Sequence, residues 1–476
     1  MAGYDDDSYD ARKRKRSVSP AKTGRNGKRR EDESDQLPQP YNAKELQPAK
    51  RRAVSPSEQP RKQKRPGARA RISETEREAI RQRALDREKA QEAQSYAELE
   101  RQRNINDVVT QHYNSVPERG RDWRRTDSKI KGLRAFNNWI KSCIIQKFSP
   151  DEDHTPGSRE QGVSTGEKLL VLDIGCGKGG DLGKWQQAPQ PVELYVGLDP
   201  ADISIDQARE RYRQMSSRGG GGRGGRGGHR RPPPRLFEAR FHVKDCYGES
   251  IEDIEVVRQV GFDTNPLSRR GFDVVSMMFC MHYAFETEQK ARMMLRNVAG
   301  SLKKGGRLIG CIPNSDVLGE RVREFNQKAE ERKKQAAEEP PAEAEEGELE
   351  EGEADQSAEW GNSIYRVRFP GKTPEDGVFR PAFGWKYNFF LDEAVEEVPE
   401  YVVPWEVLRA LAEDYNLELQ YHKTFMEIWE SEKDDETLGP LSERMGVRER
   451  GGGKLMVSPE EIEAASFYTA FCFYKV

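Results

Sequence analysis

The segment Leu170–Trp185, LVLDIGCGKGGDLGKW, constrains the fold more than any other part of this 476-residue chain. An apolar run ends at Asp173, and a glycine-rich turn then leads into a helix. Gly175, Gly177 and Gly180 match the spacing G-x-G-x-x-G in the strand–turn–helix setting of nucleotide-binding α/β folds. Glycine lets the backbone approach a ligand closely, because a side chain there would collide with it. The segment therefore predicts a ligand site at the end of a buried strand.

Acidic residues at the ends of three successive strands indicate which ligand this is. Asp199 ends the second strand, 24 residues after Gly175, and is suitably placed to accept both hydroxyl protons of a ribose. The glycine spacing alone leaves a dinucleotide and S-adenosylmethionine as competitors. Asp173 favours S-adenosylmethionine, because a carboxylate before the turn repels a pyrophosphate and attracts ammonium and sulfonium groups. Asp245, after the third strand, either accepts the adenine amino group or caps the strand at the surface.

Short apolar runs alternate with amphipathic stretches, which is typical of strand–crossover–strand units in a parallel sheet. A helix at Glu286–Leu302 separates the last two of these strands, and the aromatic run Phe467–Tyr474 predicts a terminal strand in the same sheet. The predicted fold class is α/β, with a Rossmann-like, mostly parallel and doubly wound sheet. The strand candidates are Leu169–Ile174, Leu194–Leu198, Phe237–Lys244, Phe272–Phe279 and Arg307–Ile312.

Four segments lack the composition of a packed core. Only 34% of the residues are hydrophobic and 34% are charged, so polar segments must dilute a smaller folded part. Residues 1–70 predict a disordered basic arm and residues 71–103 a charged helical linker. The remaining chain, 104–476, predicts one large domain. An Arg-Gly loop at 216–234 and an acidic insertion at about 319–357, which begins as a charged helix, interrupt this domain.

The net charge of −3 conceals basic and acidic segments of opposite sign. In the arm, the clusters Arg12–Arg16, Lys28–Arg30 and Lys50–Arg52 predict nuclear-import or polyanion-binding patches, or merely a solubilising tail. The Arg-Gly segment either follows a nucleic-acid backbone without sequence preference or is a flexible surface loop. The arm is thus expected to serve nuclear import, recruitment to a transcribing polymerase, or non-specific attraction of RNA.

Two classes of protein and one kind of site are excluded at this level. No stretch approaches the roughly 20 apolar residues of a membrane helix, and the charged N-terminus lacks the apolar region of a secretory signal. The six cysteines contain no C-x-x-C pair, which argues against a zinc site or a disulfide framework and fits a reducing compartment. We therefore expect no membrane association and no metal.

Five further stretches carry a resemblance to a known family. They run in order through the predicted domain, and on them the chain resembles the eukaryotic, fungal-type mRNA cap guanine-N7 methyltransferases. The resemblance implies a class I methyltransferase fold, S-adenosylmethionine as cofactor, 5′-capped RNA as substrate and a nuclear location. It also implies RNA polymerase II and other capping-enzyme subunits as candidate partners. The stretches are Phe136–Lys141 (FNNWIK), Leu172–Trp185, Met281–Phe285 (MHYAF) with the following MMLRN, Ile312–Ser315 (IPNS) and Phe383–Val402.

The resemblance also implies roles for single residues. The positions that correspond to cofactor contacts are Lys141, Gly175, Asp199, Asp245 and Tyr283. The positions that correspond to contacts with the capped RNA end are Asn137, Asn138, Lys178, Lys184, Arg211, His282, Glu400 and Tyr468. One position departs from the pattern: Met278 stands where the animal enzymes that this chain resembles carry Gln at the cofactor, so a thioether replaces an amide there.

Elementary chemistry supports these roles. A cap is a guanosine joined through a triphosphate, and Lys178, Lys184 and Arg211 supply cations after the glycine turn and the second strand. Arg211 can equally belong to an exposed charged helix. Glu400 can accept the guanine N1–H and amino protons, or be one solvated carboxylate among several.

Guanine N7 carries a lone pair and no proton, so methyl transfer requires no acid or base. Glu400, His282 and Tyr283 are therefore expected to position the reactants. A histidine in such a place is more often structural than catalytic, and this alternative stays open for His282. Two other functions stay open at this level. One is methylation of a small molecule or protein by the same fold, and the other is RNA binding without catalysis.

Overall fold

A seven-stranded sheet forms the centre of the computed structural model, which describes residues 105–116, 120, 123, 126–151, 167–220, 236–262, 271–338 and 357–476. All of these residues lie within Asp86–Val476. The predicted arm at 1–70 and linker at 71–103 lie outside the described residues. The strands are β1 (Leu169–Ile174), β2 (Val192–Asp199), β3 (Glu238–Val243), β4 (Phe272–Met278), β5 (Leu302–Pro313), β6 (Glu359–Gly361), β7 (Tyr365–Arg368), β8 (Lys386–Leu391), β9 (Val395–Tyr401), β10 (Leu417–Thr424) and β11 (Tyr468–Lys475).

Helices connect and cover these strands. Two irregular helical turns, a π-turn at Arg258–Phe262 and a 3₁₀-turn at Met281–Glu286, flank β4. No described helix is long and apolar enough to cross a membrane. The α-helices are α1 (Ile105–Ser115), α2 (Lys131–Phe148), α3 (Leu182–Gln186), α4 (Asp202–Gly220), α5 (Glu255–Val257), α6 (Glu288–Ser301), α7 (Ser315–Glu338), α8 (Trp405–Asp414), α9 (Phe425–Glu432), α10 (Leu438–Met445) and α11 (Pro459–Ser466).

The strand order of the large sheet is β10-β11-β5-β4-β1-β2-β3. Strands β5, β4, β1, β2 and β3 are parallel, whereas β11 is antiparallel to both β5 and β10. The order reverses next to β1, which places a crevice at the carboxyl ends of β1 and its neighbours. The prediction of a mostly parallel, doubly wound sheet that the terminal aromatic strand completes is confirmed.

Both faces of this sheet are buried, as in other parallel sheets. The side chains of β1 alternate between the two sides. Leu169 and Val171 pack in one apolar cluster with Trp139 of α2, while Leu170 and Leu172 pack in the other. The continuous apolar run of β1 is therefore explained by helices on both faces of the sheet.

A second sheet follows the acidic segment and was not predicted. Its order is β6-β7-β8-β9, and all of its pairs are antiparallel. Strand β9 ends at Tyr401, and Val402 donates its amide to Trp385 O at 3.0 Å. This sheet carries Glu400, so the residue predicted to recognise guanine lies on an element that the strand patterns did not separate from the main sheet.

The Arg-Gly interruption begins later than the composition indicates. Helix α4 continues to Gly220, so the first five residues of the Arg-Gly segment are helical and the predicted boundary at 216 is wrong. Good helix formers precede this segment, and a helix that is already nucleated extends easily into it. Helix α7 takes up the start of the acidic segment to Glu338, as predicted. Residues 221–235 and 339–356 lie outside the described residues.

Candidate active site

The glycine turn after β1 is shaped by its hydrogen bonds and by close packing. Gly175 has a φ of +70° and donates its amide to Leu198 O at 2.7 Å. A Cβ atom on Gly175 would lie 2.6 Å from Cys280 Cβ, so no side chain fits there. Gly177, with a φ of +50°, donates its amide to Asp199 Oδ2 at 2.9 Å. The turn is thereby tied to the end of β2.

The third glycine of the turn that geometry requires is Gly179, not Gly180. Gly179 has a φ of +67°, and a Cβ atom there would meet Leu182 Cδ1 at 2.7 Å and Ala208 Cβ at 3.2 Å. At Gly180 a Cβ atom would meet only Arg211 Nη1, at 4.0 Å. The match of Gly180 to the spacing was therefore misleading, because the packing of α4 against the turn falls one residue earlier.

Asp199 and Asp245 stand at the carboxyl ends of β2 and β3, as predicted, and each is held by backbone amides. Asp199 Oδ1 accepts from Ala201 N at 2.9 Å, in addition to the bond from Gly177. Asp245 Oδ1 accepts from Tyr247 N at 2.8 Å and from Gly248 N at 3.1 Å. Burial raises the pKa of Asp199, although the two amides oppose this shift. Both carboxylates are thus oriented before any ligand arrives.

Asp173 lies beneath the turn rather than at its mouth. Its side chain is 2% exposed, and Tyr195 donates its hydroxyl to Asp173 Oδ2 at 2.5 Å. Burial, together with the negative charge of Asp181, raises the pKa of Asp173 to about 7. The hydrogen bond from Tyr195 and the charge of Lys141 oppose this shift. The sequence placed this carboxylate at the ligand-facing end of β1, whereas the structure encloses it.

Asp181 joins the predicted cofactor residues to the predicted RNA residues, and sequence reasoning missed it. Its carboxylate pairs with Lys141 Nζ at 2.8 Å and with Lys184 Nζ at 2.7 Å. Lys184 also donates to Asn138 Oδ1 at 2.8 Å. Burial would raise the pKa of Asp181, but attraction to the two lysines outweighs it and holds the pKa well below its usual range. The i, i+3 spacing of Asp181 and Lys184 on a helix was the signal that could have found it.

The other predicted RNA contacts of this region surround the same crevice. Lys178 donates from Nζ to Val116 O at 3.0 Å, just beyond the end of α1. Arg211 of α4 approaches Gly180, and its charge contributes to the lowered pKa of Lys184, whose main cause is burial. Asn137 Oδ1 is buried and has no hydrogen-bond donor among the described residues. Lys178 extends from the glycine turn, Arg211 from α4 and Asn137 from α2.

Glu400 and His282 form a buried pair on the other side of the crevice. Glu400 is 5% exposed and accepts from the Tyr387 hydroxyl at 2.8 Å. His282 Nε2 lies 3.5 Å from Glu400 Oε1, and both ring nitrogens of His282 have no hydrogen-bond partner among the described residues. Because buried polar atoms are nearly always hydrogen-bonded, this pair has capacity for a polar ligand.

Aromatic side chains enclose this pair. The Tyr113 hydroxyl of α1 lies 3.2 Å from the Tyr283 hydroxyl, and the Tyr283 ring lies 4.3 Å from the ring of His282. Burial raises the pKa of Tyr113, and the charges of Glu400 and Asp199 raise it further. Tyr113 therefore lies where both carboxylates act on it. A single tyrosine in α1 gave no sequence pattern, so this residue was also missed.

Tyr468 and Met278 complete the aromatic and apolar wall. The Tyr468 ring lies 4.9 Å from that of Phe279, in an edge-to-face arrangement. Met278, the last residue of β4, is buried with its sulfur 3.7 Å from Cys311 Sγ. Its thioether lies at the carboxyl edge of the sheet, where the resemblance places a cofactor contact.

The arrangement provides oriented carboxylates, cations and aromatic faces. Among the described residues no group of three or more His, Cys, Asp or Glu side chains is placed to hold a metal ion. All six cysteines are free and buried. The site can hold a ligand with cationic and hydroxyl groups at the ends of β1 to β3, beside a second ligand with phosphates and a planar base.

Comparisons with known proteins agree on one family. The family model of the mRNA (guanine-N(7))-methyltransferase domain matches residues 96–336 and 342–476. An mRNA cap guanine-N(7) methyltransferase of Pyricularia oryzae is 70% identical over 448 residues, which is 92% of this chain and 91% of that protein. The proteins of the same name from Aspergillus clavatus and Schizosaccharomyces pombe are 57% and 40% identical, over 90% and 80% of this chain and 80% and 85% of their own lengths.

A solved S-adenosylmethionine-dependent methyltransferase from Clostridium acetobutylicum is also similar. It has a TM-score of 0.33 and 10% identity, and the match covers 74% of this chain and 96% of that chain.

Proposed function

The chain belongs to the mRNA (guanine-N(7))-methyltransferase family, and on that premise we propose how its candidate site works. The enzyme transfers a methyl group from S-adenosylmethionine to N7 of the guanosine cap of RNA. The observation that carries the residue-level proposal is the buried pair of Glu400 and His282, in which neither ring nitrogen of His282 has a hydrogen-bond partner among the described residues.

The residues around the glycine turn fit S-adenosylmethionine. The turn excludes side chains at Gly175, and Asp199 and Asp245 present carboxylates at the two strand ends where ribose and adenine groups are expected. Lys141 is the proposed partner of the carboxylate of the aminoacyl end, and the enclosed Asp173 acts on the ammonium and sulfonium groups through its charge and not by direct contact. Tyr283 and the thioether of Met278 would complete this half of the site.

S-adenosylmethionine supplies an electrophilic methyl group on a sulfonium. Guanine N7 needs no deprotonation, so no residue has to act as a general acid or base. The role of Glu400, His282 and Tyr283 is to hold the guanine so that its N7 faces the methyl group in line. Such positioning can lower a barrier by roughly 7–11 kcal/mol.

Recognition of guanine is assigned to Glu400. A buried carboxylate with an oxygen that the Tyr387 hydroxyl does not use can accept the guanine N1–H and amino protons. Adenine offers a different pattern on this edge, so it would leave the carboxylate without partners. As positive charge develops on the purine during transfer, the same carboxylate stabilises it. Tyr468 contributes an aromatic face to this pocket.

The triphosphate bridge is assigned to the cations on the other side of the crevice. Lys178, Lys184 and Arg211 are the proposed phosphate contacts, with Asn137 and Asn138 beside them. The hydrogen bond from Lys184 to Asn138 supports the assignment, because it orients the ammonium group from α3 against α2.

The test of the proposed function uses a labelled methyl donor and three RNAs. The RNAs carry a guanosine cap, a 5′-triphosphate, or a cap that is already methylated at N7. Label is expected on the guanosine-capped RNA alone, and a cap dinucleotide should compete with it. Label on protein or on uncapped RNA would contradict the proposed substrate, and absence of label on all three would contradict catalysis.

Binding of S-adenosylmethionine is expected to depend on pH through Asp173. The pKa of this carboxyl is about 7 in the folded protein, against an ordinary value of 3.8, so the unliganded site holds a proton below pH 7. A cationic ligand favours the ionised form. The affinity should therefore rise by up to about tenfold per pH unit up to pH 7 and then level off.

Calorimetric titration with S-adenosylmethionine between pH 5.5 and 8.5 measures this dependence. The free energy of unfolding of the unliganded protein should fall as the pH rises from 3.8 to 7. In this window the folded state keeps a proton on Asp173 that the unfolded state has lost. Asp173→Asn should flatten the rise in affinity. An unchanged slope in this variant would remove Asp173 from the cofactor site.

We also propose a nuclear location and association with the transcribing RNA polymerase II and other capping-enzyme subunits. The basic clusters of residues 1–70 support nuclear import. Imaging of the full chain against a variant with Arg12–Arg16 replaced by Gln tests the location, and loss of nuclear accumulation in that variant is expected.

A further inference from the structure

A second cleft opens beside the crevice, between α2, α3 and the start of the segment after α10. Its volume is about 910 Å³, which falls in the range of roughly 300–1,000 Å³ typical of ligand sites. Asn138 and Lys184, two of the proposed contacts of the capped end, lie in its wall together with Gly180. The cleft is thus continuous with the proposed triphosphate site.

Positive charge predominates along this cleft. Its described lining includes four cations, Lys131, Arg134, Lys184 and Arg444, and one anion, Glu443; the charge of Lys184 is already paired with Asp181, so the other three cations give the cleft its positive charge. The Glu443 carboxylate accepts the amide of Gly452 at 2.8 Å, so part of its charge is already compensated. Lys131 and Arg444 are exposed at the rim, one on each wall. A polyanion that enters the cleft would pass between these two cations.

Apolar side chains lie between the charges. Ala135 and Ile145 of α2 and Leu441 and Met445 of α10 line the cleft, together with Met456, which is 57% exposed. Methionine side chains are flexible, so they can adapt to the faces of bases that lie at different angles. A groove that combines cations with apolar contacts, and that presents no pairing pattern for specific bases, suits a single strand of any sequence.

We propose that this cleft binds the first nucleotides that follow the triphosphate of the capped RNA. The inference rests on the proposed function, because it takes Lys184 and Asn138 as contacts of the triphosphate. From that point the strand must continue away from Glu400. The cleft provides a path that starts at these two residues and carries charge opposite to that of RNA. An acidic protein surface would also be attracted by the charge of the cleft. RNA is favoured because the cleft begins at Lys184, where the triphosphate is proposed to bind.

The test compares two substrates of the full chain, a cap dinucleotide and a capped tetranucleotide, with the double variant K131Q/R444Q. We expect the wild type to have the lower KM for the tetranucleotide. The variant should raise that KM by about tenfold and leave the KM for the dinucleotide within twofold. The slope of log KM against log salt concentration for the tetranucleotide should fall by about 1.4, or roughly 0.7 for each lost phosphate contact.

The matched control is K304Q/R258Q, which removes two exposed cations near the amino end of the main sheet. This variant should leave both KM values unchanged. The inference is overturned if the wild type does not distinguish the two substrates, or if K131Q/R444Q leaves the KM of the tetranucleotide unchanged. An unchanged KM of the tetranucleotide is also the result expected if the cleft binds an acidic protein and not RNA.

A readout without catalysis separates this inference from the proposed function. A 5′-triphosphate tetranucleotide with 4-thiouridine at its third position is irradiated with the full chain, and the crosslinked peptide is identified by mass spectrometry. Crosslinks within residues 131–146 or 441–456 support the cleft even if no cap is methylated. Crosslinks confined to other parts of the chain overturn it even if the caps are methylated.

Discussion

Glu400→Gln should lower kcat/KM for methylation of guanosine-capped RNA by roughly 10²- to 10⁴-fold, because two charge-assisted hydrogen bonds of about 1.5–3 kcal/mol each are lost. In the variant, the NH₂ group of glutamine faces the guanine N1–H and amino group. All three groups are donors, so neither hydrogen bond to the guanine can form. The side chain keeps its size, so the fold should persist, and the oxygen that accepts from Tyr387 can still do so. Steady-state kinetics with capped RNA measures the loss.

Glu396→Gln on the same strand is the matched control. Glu396 is exposed to solvent, whereas Glu400 is only 5% exposed. The control therefore makes the same chemical change at a carboxylate that solvent surrounds. Its kcat/KM should stay within twofold of the wild type. If Glu400→Gln retained kcat/KM within threefold of the wild type, Glu400 would have no part in holding the guanine.

Asp181→Asn should lower the free energy of unfolding by about 3–5 kcal/mol, the range seen when one partner of a buried ion pair is removed. Asp181 is the shared anion of Lys141 and Lys184, whose side chains are only 15% and 12% exposed. Without it, two ammonium groups face each other with little water to screen them. Denaturant unfolding at pH 7 measures the stability, and binding of S-adenosylmethionine and of cap analogue should both weaken.

The dependence on acid has a definite sign. The pKa of Asp181 is depressed in the folded protein. Its contribution to the free energy of unfolding is therefore fully present above pH 3.8, its ordinary pKa, and is lost as the pH falls below that value. Asp206→Asn is the control, since its pair with Arg209 has the same spacing on a helix but is exposed. That variant should change stability by less than about 1 kcal/mol. If adding Lys184→Gln failed to recover part of the stability lost in Asp181→Asn, the unpaired lysine would not be the cause.

Much of the fold was predictable because its signals are local in the chain. The apolar run of β1 was placed to the residue, and the glycine turn was found from spacing alone. The positions of Asp199 and Asp245 follow from the same logic, since the carboxyl ends of parallel strands meet at one edge. The terminal strand was assigned to the main sheet because an aromatic strand is unstable alone, and its pairing with β5 confirms this.

Other features depended on contacts between distant parts of the chain. The pair of Tyr113 and Tyr283 joins residues 170 positions apart, and nothing in the sequence near Tyr113 announces it. The role of Gly179 follows from the position of Ala208 on a helix that packs over the turn. Likewise, the second sheet brings Glu400 to within 3.5 Å of His282, a residue 118 positions earlier in the chain.

By itself, the sequence determined the succession of the parallel strands along the chain, the acidic strand ends and the family, because these are encoded in periodicity and in short motifs. Only the tertiary structure decided that Asp173 is enclosed, that Asp181 serves two lysines at once, and that a basic cleft continues from Lys184. The reason is physical: burial and charge pairing are set by distances of a few ångströms between elements, and no local pattern of residues records those distances.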